Sequence, residues 1–491
     1  MSTATQEEAR TPTLANEPVP TAGTRLQGHT SLEKEVQIDD LPTRGVFPAW
    51  LSGTFMRATP AKFEVGDRSL GHWFDGLGML NVFRFSGGRV SYANRFLQTP
   101  RLRDAREGRY RATISVGTDP CRTLGRRLLT MFDPDAHFEP NINIARFTER
   151  YFITTEAPCP LEFDPETLAT LGFTQDLGHD ALDTHMLYDH MQFDPVPGSE
   201  MVTVVTRMGL RNEHRIDAID GGMKRRRVGG APAGRPPEYM HSFLMTEHFV
   251  VLPLQPLRYS LPGILRSGKF TECLSWRPED GTTFAVIDRR TGELASTHEA
   301  EPFFFWHTIN AYEDGDEIVA DIVCDDSPQS LYQIEMDKLR DPSFRPKFYG
   351  NPRRYRLPLA GGPATGGKFS DLRMEFPRIN DARNTLSYRY AYGIAYRTAD
   401  SDWFDSITKL DVDSGAAGEW HEPGCYPSEP IFVAGPGAAA EDDGVVLNVV
   451  LDSNAGRSFM LVLDARDMTE IARAELPHHL PFNFHAQYYS A

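Results

Sequence analysis

Seven residues of this chain are of the types that hold and tune a metal ion: the histidines His190, His241, His307 and His485, and the glutamates Glu156, Glu375 and Glu429. Neutral imidazole is a good ligand for zinc, copper, iron or nickel, and four imidazoles with no anionic ligand leave the full charge on the ion. Four histidines would close a tetrahedral zinc site, whereas an octahedral iron would keep two positions open for dioxygen or substrate. The glutamates suit a supporting shell, because a metal-bound histidine almost always donates its other ring N–H to a carboxylate or carbonyl. Three buried carboxylates would also offset the charge of a dication.

Taken singly, a histidine in an apolar run is more often a hydrogen-bonded core residue. The pattern of all seven singles them out. His190 lies in LYDHMQFDP, His241 in PEYMHSFLM, His307 in FFFWHTINAYEDGDE and His485 in PFNFH, while the glutamates lie in YFITTEAP, LRMEFPRIN and YPSEPIFVAGP. Each is in or beside an apolar, strand-like run, and turn residues such as Asp194-Pro195 or Asp314-Gly315 follow several of them. Along the chain the seven are separated by 34, 51, 66, 68, 54 and 56 residues. Most of these gaps approach the length of a four-stranded propeller blade, roughly 40 to 50 residues plus loops. The simplest arrangement is one inward-pointing group per blade, converging on an axis. His72, His179, His185, His248, His478 and His479 compete as ligands. His478 and His479 read as loop residues, and His248, seven positions after His241, is expected on the opposite face of an extended strand. No nucleophile elbow, HExxH helix or phosphate-binding loop appears.

The elements that must position these groups read as strand, tight turn, strand. NVFRF, Ser86-Gly87-Gly88 and RVSYANRFL form a glycine-turn hairpin, and similar pairs recur around Thr291-Gly292, Asp314-Gly315 and the segment 441–468. Asp164 to Ala169 and Ser327 to Lys338 are the stretches suited to short helices or turns. With 491 residues, 40 glycines and 36 prolines, the chain fits a single radially repeated all-β domain over 28–491, behind a disordered lead-in at 1–27 rich in Thr, Pro, Ala and Glu. Order is expected from about Ile38.

A net charge of −17 argues against a nucleic-acid partner. The basic run Lys224 to Arg227 reads as a solvated loop. Five scattered cysteines without a CxxC pair point to reduced thiols in the cytoplasm. The N-terminus lacks the basic and apolar regions of a signal peptide, and no apolar run reaches the roughly 18 residues of a membrane span. The segment 254–272, LQPLRYSLPGILRSGKFTE, breaks the strand rhythm with apolar residues and is a candidate for peripheral membrane contact. No obligate protein partner is evident.

The sequence resembles the carotenoid cleavage oxygenase family from about Leu32 onward. The resemblance is carried by HWFDGLGMLNVFRF at 72–85, TTEAP at Glu156, HMQFDP at His190, MHSFLMTEHFVV at His241, WHTINAYEDGDE at His307, MEFPRIN at Glu375, SEPIFV with EDDGVVL at 429–447, and PFNFH at His485. Its wording at 72–80 and 429–447 is similar to the animal-type branch, which includes carotene oxygenases and a retinoid isomerohydrolase. Membership implies a seven-bladed β-propeller with a loop cap over one face and one Fe(2+) on the axis, held by four histidines and supported by three glutamates, at the same seven positions. It implies that Thr155 overhangs the open iron site and that Phe74, Trp306, Phe376 and Phe484 line the substrate tunnel. Asp189, before His190, departs from the family's usual small residue.

The implied reaction is scission of a conjugated C=C bond of a carotenoid or apocarotenoid by O2, giving two carbonyl products. The same fold also hosts stilbene cleavage and isomerohydrolase chemistry, and a propeller that only binds ligands is the non-enzymatic alternative. Stilbene-cleaving relatives usually carry a lysine where this chain has Thr155, and a hydroxyl cannot stabilise a phenolate as an ammonium would.

Overall fold

Several strands bury nearly every residue instead of alternate ones. Gly53–Lys62, Met201–Arg207 and Arg457–Asp464 are buried on both faces, whereas the outer strand Leu294–Ala300 is largely exposed. This is the signature of sheets stacked face to face around a ring, in which only the rim meets water. The computed structural model describes residues 23–110, 115–118, 139–156, 160–174, 186–187, 190–193, 200–260, 263 and 269–491. Among the described residues, seven antiparallel sheets of four to six strands form the blades of a propeller, with two further two-stranded sheets outside them.

The innermost strands are, in ring order, Ala486–Ser490, Asn143–Phe147, the pair Met186–Leu187 and Gln192–Phe193, Leu244–Met245, Thr308–Asp314, Met374–Ile379, and the pair Cys425–Pro427 and Ile431–Ala434. Neighbours in this series touch around the axis at Leu244–Met245, Thr308–Asp314, Met374–Ile379, Ile431–Ala434, Ala486–Ser490 and Asn143–Phe147. The expected hairpins are present: Leu77–Ser86 pairs with Arg89–Phe96 across Gly87 and Gly88, both at positive φ, as a tight two-glycine turn requires. Helices Gln329–Gln333 and Met336–Leu339 fall in the expected stretch, and Asp164 to Ala169 forms a turn.

The ring closes twice. Ala486–Ser490 pairs with Gly53–Lys62 in the first blade, and Thr43–Gly45 pairs with Glu470–Glu475 at the outer edge of the last. Arg57 stabilises this seam. It is fully buried and donates to Ser428 Oγ at 3.1 Å, Asn483 Oδ1 at 2.9 Å and the Pro481 carbonyl at 2.7 Å. Burial lowers its guanidinium to about 9, so it stays charged at neutral pH, solvated by these three oxygens in place of water.

Two expectations are corrected. The lead-in boundary at 27 falls inside a short 3-10 helix, Arg25–His29, where Arg25 is buried and donates to the carbonyls of Leu339, Asp341 and Phe344. Order therefore begins well before Ile38, where one buried arginine ties the segment to three carbonyls far along the chain. The basic run is not a loop: Arg225–Pro232 is the outer strand of the third blade, and Arg225, Arg226 and Arg227 pair with Asp217, Glu200 and Glu213. In the segment 254–272, Leu257–Tyr259 pairs with Leu274–Trp276, while Leu261, Ile264 and Leu265 lie outside the described residues. No helix among the described residues is long and apolar enough to cross a membrane.

Replacing Arg57 by methionine leaves three acceptors without their donor in a dry seam. Urea denaturation is expected to show a loss of roughly 2–4 kcal/mol, and a change within about 0.5 kcal/mol would show that the seam does not depend on this arginine.

Candidate metal centre

Each of the seven groups comes from a different blade. His190, His241, His307 and His485 stand just before the innermost strands Gln192–Phe193, Leu244–Met245, Thr308–Asp314 and Ala486–Ser490, so all four open onto the same face of the ring. Glu156 follows Arg150–Thr154, Glu375 lies within Met374–Ile379, and Glu429 lies between the two short inner strands of the last blade.

The imidazoles converge. One nitrogen from each lies within 4.8 Å of the others. His190 Nε2 is 3.1 Å from His241 Nε2, and His307 Nε2 is 3.3 Å from His485 Nε2. On the far side of the rings, His241 Nδ1 meets Glu156 Oε1 at 2.6 Å, His307 Nδ1 meets Glu375 Oε2 at 2.6 Å, and His485 Nδ1 meets Glu429 Oε1 at 2.9 Å. A carboxylate accepts a proton on Nδ1, which fixes the tautomer and leaves a lone pair on Nε2. Burial, then the neighbouring imidazoles, push His190 and His307 well below the usual histidine range, so no extra proton relieves the contact. Lone pairs 3.3 Å apart on His307 and His485 repel unless a cation lies between them. Nitrogens each about 2.1 Å from one ion take up separations of this size. The donor set therefore fits a metal.

The carboxylates are themselves held. Tyr239 donates its hydroxyl to Glu156 Oε1 at 2.7 Å, the Phe376 N–H donates to Glu375 Oε2 at 3.0 Å, and the Ala486 N–H donates to Glu429 Oε2 at 2.7 Å. Burial pushes Glu375 up to about 7. Burial also works to raise Glu429, but His485, Arg378 and the hydrogen bonds to it prevail and hold it below the ordinary glutamate range.

Two adjoining apolar cavities lead to the imidazoles. One of about 490 Å³ is walled by Val116, Thr155, Tyr239 and Phe270; one of about 390 Å³ is walled by Trp73, Phe348, Phe376 and Phe484; and both share Phe74, Ile142, His241 and Trp306. Phe74, Trp306, Phe376 and Phe484 thus all face the site, with Trp306 5.1 Å from the His241 ring and Phe376 5.1 Å from the His307 ring. Phe376 sits there because its backbone is left-handed, φ +52°, where the strand pairing shifts register between Glu375 and Arg378. Such a conformation costs roughly 1–3 kcal/mol. It turns Glu375 and Phe376 toward the same centre.

The competing histidines are elsewhere. His72 is buried and accepts from the Phe74 N–H, and His479 contacts Thr30. His248 is exposed and pairs with Glu313 at 2.9 Å; it lies in the turn between Leu244–Met245 and Phe249–Leu254, so a chain reversal, not strand alternation, removes it from the site. His179, His185 and Asp189 lie outside the described residues. Sequence reasoning missed Tyr239, Arg378, Trp73 and Phe270. Tyr239 was accessible to it, standing two residues before His241 and so on the same face of an extended segment. Arg378 was not, because the irregularity at Phe376 breaks the alternation that would have placed it.

Residues 29–490 match the family described as retinal pigment epithelial membrane protein. The chain belongs to this family. It is 30% identical over 526 residues to the mitochondrial carotenoid-cleaving dioxygenase of Mustela putorius furo, covering 94% of this chain and 95% of that one. It is 33% identical over 498 residues to the chloroplastic carotenoid cleavage dioxygenase 8 homolog A of Oryza sativa subsp. japonica, covering 94% and 87%. The crystal structure of a cobalt-substituted apocarotenoid oxygenase from Synechocystis superposes with a TM-score of 0.83 at 27% identity, covering 95% and 98%. The two chains thus share the propeller over nearly their whole lengths.

Metal content separates ligands from bystanders. His307→Ala and His485→Ala are expected to lose most bound metal by emission spectrometry, whereas His248→Ala retains it. Full occupancy in His485→Ala would remove that residue from the ligand set.

Proposed function

We propose that this chain is a non-haem Fe(II) dioxygenase that cleaves a conjugated C=C bond of a carotenoid or apocarotenoid with O2 to give two carbonyl products. The observation that carries the reading is two adjoining apolar cavities that reach a cluster of four converging imidazoles, three of them braced by carboxylates. His190, His241, His307 and His485 would hold one Fe(2+) per chain, and Glu156, Glu375 and Glu429 would orient the rings. Iron, when bound, supplies the activation of dioxygen toward the olefin.

The chain's own residues do the rest. Phe74, Trp306, Phe376 and Phe484 would hold a flat polyene by contact area and exclude water from the reacting bond. Thr155, buried beside Glu156 in the cavity wall, presents a small neutral hydroxyl and no cation. That disfavours a phenolate and supports a polyene, whose conjugation alone makes it electron-rich. The relatives' names, carotenoid-cleaving dioxygenase and apocarotenoid oxygenase, support the same substrate class.

Phe270, from the segment 254–272, lines the larger cavity, which supports substrate capture on this side by peripheral contact with a membrane. The free, buried thiols of Cys273, Cys324 and Cys425 support a reducing, cytoplasmic setting. No nucleic acid or obligate protein partner is part of this reading, and the chain's ordered part acts as one domain.

Under one set of conditions, kcat/KM for a carotenoid and an apocarotenal should exceed that for resveratrol by at least an order of magnitude; efficient resveratrol cleavage without polyene turnover would overturn the substrate assignment. Exchanging Glu156, Glu375 or Glu429 for glutamine is expected to reduce metal affinity or activity by roughly 10- to 100-fold while the chain still folds. Parental rates and metal content in all three variants would refute the bracing role.

A further inference from the structure

Arg378 is the charged group at the centre that the functional reading leaves unused. It lies on the innermost strand Met374–Ile379, three residues past Glu375, close enough for its charge to act on the His190 and His307 imidazoles. Its Nη1 is 3.8 Å from Glu429 Oε1, the oxygen that accepts from His485 Nδ1 at 2.9 Å. Its Nη2 donates to Gln487 Oε1 at 3.2 Å. Its other carboxylate neighbour, Asp381 at 3.8 Å, is 82% exposed and so screened by water. A guanidinium cannot lose its proton in this setting. A fixed positive charge therefore stands one carboxylate away from a cluster built to receive a cation.

In a buried, apolar site the repulsion between this fixed charge and a bound ion grows with the ion's charge, so a trivalent ion is disfavoured relative to a divalent one. We propose that Arg378 is a positioning and charge-setting residue that biases the centre toward the divalent state of its metal and so protects ferrous iron from one-electron oxidation to the ferric ion. The electron lost in that oxidation passes to dioxygen, so the reaction is ordinary autoxidation, which the arginine opposes.

This inference rests on the iron reading, and its test separates the two. The full chain and the variants Arg378→Met, Arg378→Gln and Arg378→Lys are loaded with ferrous iron without oxygen, and metal per chain is measured. The ferric fraction is then followed by electron paramagnetic resonance against applied potential. The neutral variants should hold iron, yet at a fixed potential their ferric-to-ferrous ratio should rise about tenfold, the size expected for a unit charge on the order of 10 Å away at an effective dielectric of about 20. Arg378→Lys should return the ratio close to the parent's. A parental ratio in iron-loaded Arg378→Met or Arg378→Gln overturns the proposal. So does a lysine variant that behaves like the neutral ones, since shape and not charge would then matter. If neither neutral variant holds metal while the lysine variant does so with a parental ratio, the arginine serves folding and the proposal fails. A parent chain that binds no iron would instead refute the metal assignment itself.

Discussion

The structure depends on lone pairs that have nowhere to go. Three carboxylates take the Nδ1 protons of His241, His307 and His485, which forces an unshared pair onto each Nε2, and the propeller then drives those nitrogens together. Such an arrangement is unfavourable in an empty protein and favourable around a cation. The stability of the ring and the affinity of the centre are therefore linked, because a ligand that binds only the folded state stabilises it. The seam held by Arg57 and by the strand Ala486–Ser490 must withstand this repulsion before metal arrives.

Much of this was legible because the signals were regular. The seven candidate groups are spaced as blades are spaced, and the structure assigns one to each blade. The hairpins announced themselves through glycine turns. The histidines sit at the starts of the inner strands, where the apolar run begins, so reading the run was enough to find them. What failed were features with no periodic signal. Arg25 is buried by carbonyls that lie more than 300 residues away in the chain, and composition gave no hint of them. The basic strand Arg225–Pro232 looked like a loop because its charges meet carboxylates supplied by other parts of the blade, Asp217, Glu200 and Glu213.

Phe376 shows why local reading has a limit. Its left-handed backbone is unfavourable for an aromatic residue and is tolerated only because neighbours on three sides fix it: the His307 and His485 rings and the bulged pairing with Tyr390–Ala395. Every residue after it on that strand is displaced from simple alternation. That displacement hides Arg378 from a period-two reading and brings it beside Glu429.

The placement of the ligands at strand starts divides the chain by how freely it can change. Trp306, Phe376 and Phe484 adjoin residues of the centre in sequence, so the wall nearest the metal is tied to the ring itself. Val116, Phe270, Leu331 and Phe348 come from connections that leave the blades and return. Insertions and exchanges in those connections reshape the far end of the cavity without disturbing a single blade pairing. Reactivity and substrate length are thus carried by separate parts of one chain, and new substrates become accessible to evolution, or to a designer, by rewriting loops over an unchanged centre.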